Sequence, residues 1–149
     1  MALEYTLELA TEQSPAETMK ILSGLGFSSE EGDAMRLSSS GVTVTAAPED
    51  NLGRSIIQEA YRFTPTMYLK FRLDKFEGWE NGLQTTIKAT LGLLQRIKAD
   101  GVLLFNGETP VLLSKNGAVT LNNANDFWEQ PDLLSLITVP YQMHHIASI

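Results

Sequence analysis

Residues 102–122 read VLLFNGETPVLLSKNGAVTLN, three short apolar runs cut at Asn106-Gly107 and Asn116-Gly117. Asn-Gly pairs tolerate the positive φ angles that two-residue hairpin turns demand, so the stretch predicts a three-stranded antiparallel meander. Upstream, residues 79–99 carry Leu83, Ile87, Leu91, Leu94 and Ile97 at spacings of four, four, three and three. That is the apolar stripe of a helix lying on a core, with Lys88, Arg96 and Lys98 turned away and Asp100-Gly101 ending it.

Working further outward, residues 66–75 alternate Met67, Leu69, Phe71 and Leu73 against Tyr68, Lys70, Arg72 and Asp74. A period of two marks a strand with one buried face. The same pattern opens the chain, where Leu3, Tyr5, Leu7 and Leu9 alternate with Glu4, Thr6 and Glu8. Ser14-Pro15-Ala16-Glu17 then supplies an N-cap, a proline at the first helical position and the acid of a capping box. The predicted helix over 15–25 turns Met19, Leu22 and Leu25 inward, and Gly26 is placed to end it. Residues 28–33 read as a polar acidic loop, and residues 34–38 and 42–46 as a hairpin around Ser39-Ser40-Gly41. Glu49-Asp50-Asn51 opens a second loop, and residues 56–63 read as an irregular or short helical segment.

Each half therefore runs β-α-β-β, although the halves share almost no sequence identity. A helix with one apolar face and strands with one apolar face are both satisfied in a two-layer α+β sandwich. The expected fold has a mostly antiparallel sheet with two main helices on one face, in a single domain over 1–149, compatible with a β-α-β-β repeat. The tail over 121–149 is less regular. Asp126-Phe127-Trp128 suggests a turn, residues 131–134 a short helix, and residues 139–149 an extended segment on a sheet edge.

Composition narrows the function. The 149 residues are 43% hydrophobic and 19% charged, as in ordinary globular domains. No apolar run is long enough to span a membrane, and the first residues alternate instead of forming the basic and apolar blocks of a signal peptide. With no cysteine, disulfides and thiolate chemistry are excluded, which fits a reducing cytoplasm. A net charge of −7 argues against nucleic acid. That charge is uneven: residues 1–59 hold ten acids against Lys20, Arg36 and Arg54, whereas residues 60–149 balance eight acids with eight bases. An acidic region can steer a basic partner, or can serve only as a solubilising surface.

No reactive constellation emerges. His144 and His145 are adjacent, so neither a strand nor a helix brings them to one metal. No serine sits in a G-x-S-x-G elbow, and Gly24-Leu25-Gly26 closes a helix where a nucleotide fingerprint would open one. Catalytic, cofactor-binding and metal-binding residues are accordingly none. The candidate partner-binding residues are Glu30, Glu31 and Asp33 in one loop, Glu49 and Asp50 in the next, and Trp128 on the polar tail. Trp79 reads as packing, and Tyr61, Phe63 and Tyr68 as fillers of the sheet face.

Three segments carry a resemblance: LEYTLELAT at the start before the Ser-Pro-capped helix, FTPTMYLKFRLDKF in the centre, and DGVLLFNGETPVLL after the long helix. In this order they resemble the bacterial Sit-type immunity proteins, which guard a cell against a swarming-inhibition toxin delivered by its kin. Arg72-Leu73-Asp74-Lys75 and Asn106-Gly107-Glu108 are the less generic parts, and the likeness covers most of residues 1–122. The resemblance implies a small cytoplasmic protein that binds a toxin and catalyses nothing. The alternatives are a small-molecule binder or carboxylate-dependent enzyme with a concave pocket, and a homo-oligomer, such as a dimer, paired through a sheet edge.

Overall fold

Strand alternation divides the sheet into two faces, and the burial of each face shows what lies on it. The computed structural model describes residues 3–74 and 78–149. Lys75, Phe76 and Glu77, at the end of the central motif, lie outside the described residues. The strands are β1 Leu3–Ala10, β2 Ser28–Glu30, β3 Asp33–Ser39, β4 Val42–Pro48, β5 Met67–Leu73, β6 Asp100–Phe105, β7 Thr109–Lys115, β8 Ala118–Asn122 and β9 Tyr141–His144. The helices are α1 Pro15–Ser23, α2 Asn51–Tyr61, α3 Trp79–Arg96 and the short α4 Pro131–Leu134, with one 3-10 turn at Phe127–Glu129. All nine strands form one sheet in the order β2-β3-β4-β5-β1-β6-β7-β8-β9. Neighbours are antiparallel except β8 and β9.

The protein is thus α+β, with the meander as β6-β7-β8. Asn106 and Gly107, and Asn116 and Gly117, all take positive φ, as their turns require. Ser14 caps α1 through a complete capping box with Glu17. The front face of the sheet carries Leu7, Leu9, Leu37, Val44, Leu69, Phe71 and Leu103. α1 and α3 cover it with Met19, Leu22, Leu83, Ile87 and Leu93. Close packing at its edge depends on missing side chains: a Cβ on Gly82 would overlap the backbone carbonyl of Gly41 in the β3–β4 turn.

The structure departs from the sequence reading at several points. Residues 28–33 form no plain loop, because β2 pairs with β3 through a turn at Glu31-Gly32, both at positive φ. Residues 49–51 do not open a loop either. The Asp50 side chain accepts from Gly53 N–H at 2.7 Å and caps α2, which runs on through the ambiguous segment to Tyr61. α2 lies on the back face, where Ile57, Tyr61 and Phe63 pack on Val102, Leu104 and Ile146. The two helices α1 and α3 share one face as expected, and a third occupies the other.

The β-α-β-β halves share an element order but not a placement. In the second half the first hairpin strand, β6, lies beside β1; in the first half the second hairpin strand, β4, lies beside β5. The tail is held by Asn122, which is buried. Its amide donates to the carbonyls of Pro110 at 2.7 Å and Ile146 at 3.0 Å, while its oxygen accepts from Ala124 and Ile146 N–H.

Trp128 is a correction to the candidate list. It is 2% exposed and its indole N–H donates to the Val111 carbonyl at 2.7 Å. Phe127 and Trp128 stack edge to face and cover the β7 side of the front face, so Trp128 is part of the core and offers no surface. Trp79, read as packing, is instead 39% exposed at the start of α3.

Candidate functional site

Glu8 lies on β1 between Leu7 and Leu9, so the pleat that sends those leucines into the front core sends Glu8 to the back. The register sets it between Tyr68 of β5 and Val102 of β6. α2 descends over this spot, because Glu49 N–H is tied to the Thr66 carbonyl at 3.0 Å and Asp50 then starts the helix. Glu49 tucks beneath the first turn of α2, with its Oε1 accepting from Asp50 N–H at 2.9 Å. Gly53 makes that fold possible, since any Cβ there would overlap the Glu49 carboxylate.

Two carboxyl groups thereby meet inside the protein. Glu8 is 7% exposed and Glu49 is 8% exposed. Burial pushes the Glu8 carboxyl up to about 9, with the hydrogen bond to Glu49, the charge of Glu49 and the charge of Asp50 adding to the rise. Two carboxyls can bond to each other only through a proton, and Glu8 holds it at neutral pH. Its Oε1 is buried and has no hydrogen-bond partner. Two cations stand nearby. Arg54 donates to the main-chain carbonyl of Glu49 at 2.9 Å and to Asn51 Oδ1 at 3.2 Å, and Lys70 Nζ lies 5.9 Å from the centroid of the Tyr68 ring.

The pair lines a groove of about 340 Å³ between α2 and the back of the sheet, with Tyr68 and Lys70 also on its wall. Apolar side chains stand around it in water: Leu52 is 70% exposed, Ile56 38% and Ile149 47%. Leu52 and Ile56 are four apart on α2 and so share one helix face. Beyond the cover of α2 the back of the sheet is polar, with Arg36, Lys70 and Arg72 exposed.

Of the acidic candidates, Glu49 and Asp50 belong to this groove and Glu31 and Asp33 do not line it. Asp33 is exposed at the outer edge of the sheet, its Oδ1 accepting from Met35 N–H at 2.9 Å. Glu30 contributes backbone to β2, and its side chain lies outside the described positions. Glu8 was not among the candidates, since alternation assigns it to a wet face. The overlooked signal lies in the neighbouring strand: Val102, Leu103 and Leu104 are apolar without alternation, which marks both faces of β6 as covered. A strand paired with β6 shares that cover.

A second, larger cleft of about 1050 Å³ opens between the end of α3 and the tail, lined by Leu91, Leu94, Lys98, Asp100, Val119 and Tyr141 among others. Its one acid, Asp100, accepts from Asn116 N–H at 2.9 Å. Among the described residues no three His, Asp or Glu side chains are grouped to hold a metal ion. Among the described residues no helix is long and apolar enough to cross a membrane.

No curated protein and no solved structure matches the chain. A family model does, that of the SitI3-like proteins, over residues 3–132, which takes in α1, α2 and α3 and stops short of β9. With most of its length matched, the chain belongs to the SitI3-like family.

Proposed function

We propose that this protein is an immunity protein of the cytoplasm, which binds a cognate toxin protein and blocks it without chemistry of its own. Membership of the SitI3-like family carries this reading. The acidic first half of the chain supports it, since a negative surface speeds encounter with a basic partner. The α2 groove adds apolar side chains standing in solvent beside two acids, and exposed apolar groups of this kind mark contact surfaces. A specific complex would bury about 1,200–2,000 Å² in total.

Co-expression tests the proposal. The chain is expected to restore growth to cells making the toxin encoded beside its gene, and to co-purify with that toxin. Failure to protect against any adjacent toxin rejects it.

A second reading draws on the larger cleft, whose volume suits a small apolar ligand. It predicts that Leu94→Trp, which fills the cleft, abolishes a ligand-induced rise in Tm. Toxin protection unaffected by that substitution separates the two readings.

A further inference from the structure

The groove under α2 holds an unusual arrangement, two carboxyls buried together with, among the described residues, no cation between them. Glu8 and Glu49 are each more than nine-tenths buried, and Glu8 Oε1 has no donor. Burying such an oxygen without a hydrogen bond is costly, and a fold tolerates it most readily where a ligand completes the site. Arg54, the nearest arginine in sequence, spends its guanidinium on a main-chain carbonyl and an asparagine.

Building on the toxin-binding reading above, we propose that this groove receives one arginine side chain of the partner protein, its guanidinium held by Glu8 and Glu49 and its aliphatic stem covered by Leu52 and Ile56. The chemistry of the walls selects that occupant. Carboxyl oxygens from two residues suit the planar fork of a guanidinium, which places several N–H donors side by side, better than the single point charge of an ammonium. Asp50, the cap of α2, adds negative charge beside the pair. Leu52 and Ile56 stand at the mouth on one face of α2, where a long basic side chain needs apolar cover for its methylenes. At about 340 Å³ the groove takes a side chain and not a folded segment. Binding replaces the shared proton with a fixed cation, the proton leaving to solvent as Glu8 ionises.

The probe is N-acetyl-arginine amide titrated into the full chain, followed by the carboxyl carbon resonances of Glu8 and Glu49. Saturable movement of both resonances is expected, with no such movement for the neutral isostere N-acetyl-citrulline amide and weaker binding for N-acetyl-lysine amide. Glu8→Gln and Glu49→Gln should each weaken arginine binding about tenfold, the size of a lost charge-assisted pair. Leu52→Ala, at an exposed position that leaves folding intact, should weaken it about twofold to threefold through lost stem contact. Equal binding of citrulline, equal or tighter binding of lysine, or carboxyl resonances that do not move overturns the assignment. The toxin-binding reading fails separately. A chain that binds the arginine probe but protects against no toxin loses the function and keeps the site. A chain that protects equally well as wild type, Glu8→Gln and Glu49→Gln keeps the function and loses the site.

Discussion

The two faces of the sheet are built on different principles. On the front, α1, α3 and the Phe127–Trp128 turn meet strands whose inward residues are nearly all aliphatic or aromatic, and the interior is continuous, opening at the cleft beside the end of α3. On the back, α2 and the tail cover only the β1–β6 side, over a smaller apolar cluster, and the β3–β4–β5 side stays open and polar. Where cover ends, two acids are buried and apolar side chains are left in water. A fold stabilised by its front core is free to keep a back face that adds less to stability.

Adjacent residues of one strand put the sharpest strain on this contrast. Phe71 points to the front and is fully buried, whereas Lys70 points to the open back and is exposed. Phe71→Ala should cost about 3–5 kcal/mol of stability, from lost transfer energy plus a cavity. Lys70→Ala should lie within about 0.5 kcal/mol of wild type. Urea unfolding measures both, and similar losses for the two would show that the back is as closed as the front.

Trp128 tests the closure of the front at its edge. Trp128→Phe keeps a ring but leaves the Val111 carbonyl without its donor, so a loss of about 1–3 kcal/mol is expected from the same unfolding midpoints.

Glu8 tests the cost carried by the back. Its carboxyl ionises at 4.5 in an ordinary setting and at about 9 in the fold. Below the lower value both native and unfolded chains hold the proton, and no penalty exists. Between the two values the unfolded chain releases its proton while the native chain keeps it, so stability falls as pH rises. Above about 9 the native carboxyl also ionises and the decline ends, with the penalty at its full size. Glu8→Gln removes the titration. Its advantage over wild type should therefore grow across that window, seen as unfolding midpoints that diverge between its two ends. An equal pH slope in both proteins would place the two acids apart in solution.

The smallest effect on folding belongs to Leu52. Leu52→Asp should change stability by no more than about 0.5 kcal/mol, because the side chain is already in water. It should nevertheless reduce toxin protection in the co-expression assay. Unchanged protection would move the interface away from α2.

Legibility follows the same division. The front was readable because its signals are local: alternation in β1 and β5, the stripe along α3, the Ser14 capping box and the two Asn-Gly turns each depend on a few neighbouring residues. α2 was not, since Asn51-Leu52-Gly53-Arg54 has poor helix formers at its start and gains its order from the Asp50 cap and from packing on Val102 and Leu104. The acidic candidates were half placed for a related reason. Glu49 and Asp50 were visible as charges, but their partner Glu8 stands 41 positions earlier and meets them only once β1 and α2 are stacked.

By itself the sequence determined the α+β class, the main strands, three of the helices and the absence of cysteine chemistry. Those depend on periodicity and composition, which survive in any arrangement of the chain. The tertiary structure alone decided that Trp128 lies inside, that α2 crosses the back of the sheet, and that Glu8 and Glu49 share one dry groove. Each of these depends on contacts between residues far apart along the chain, and no local pattern encodes which distant surface will cover which side chain.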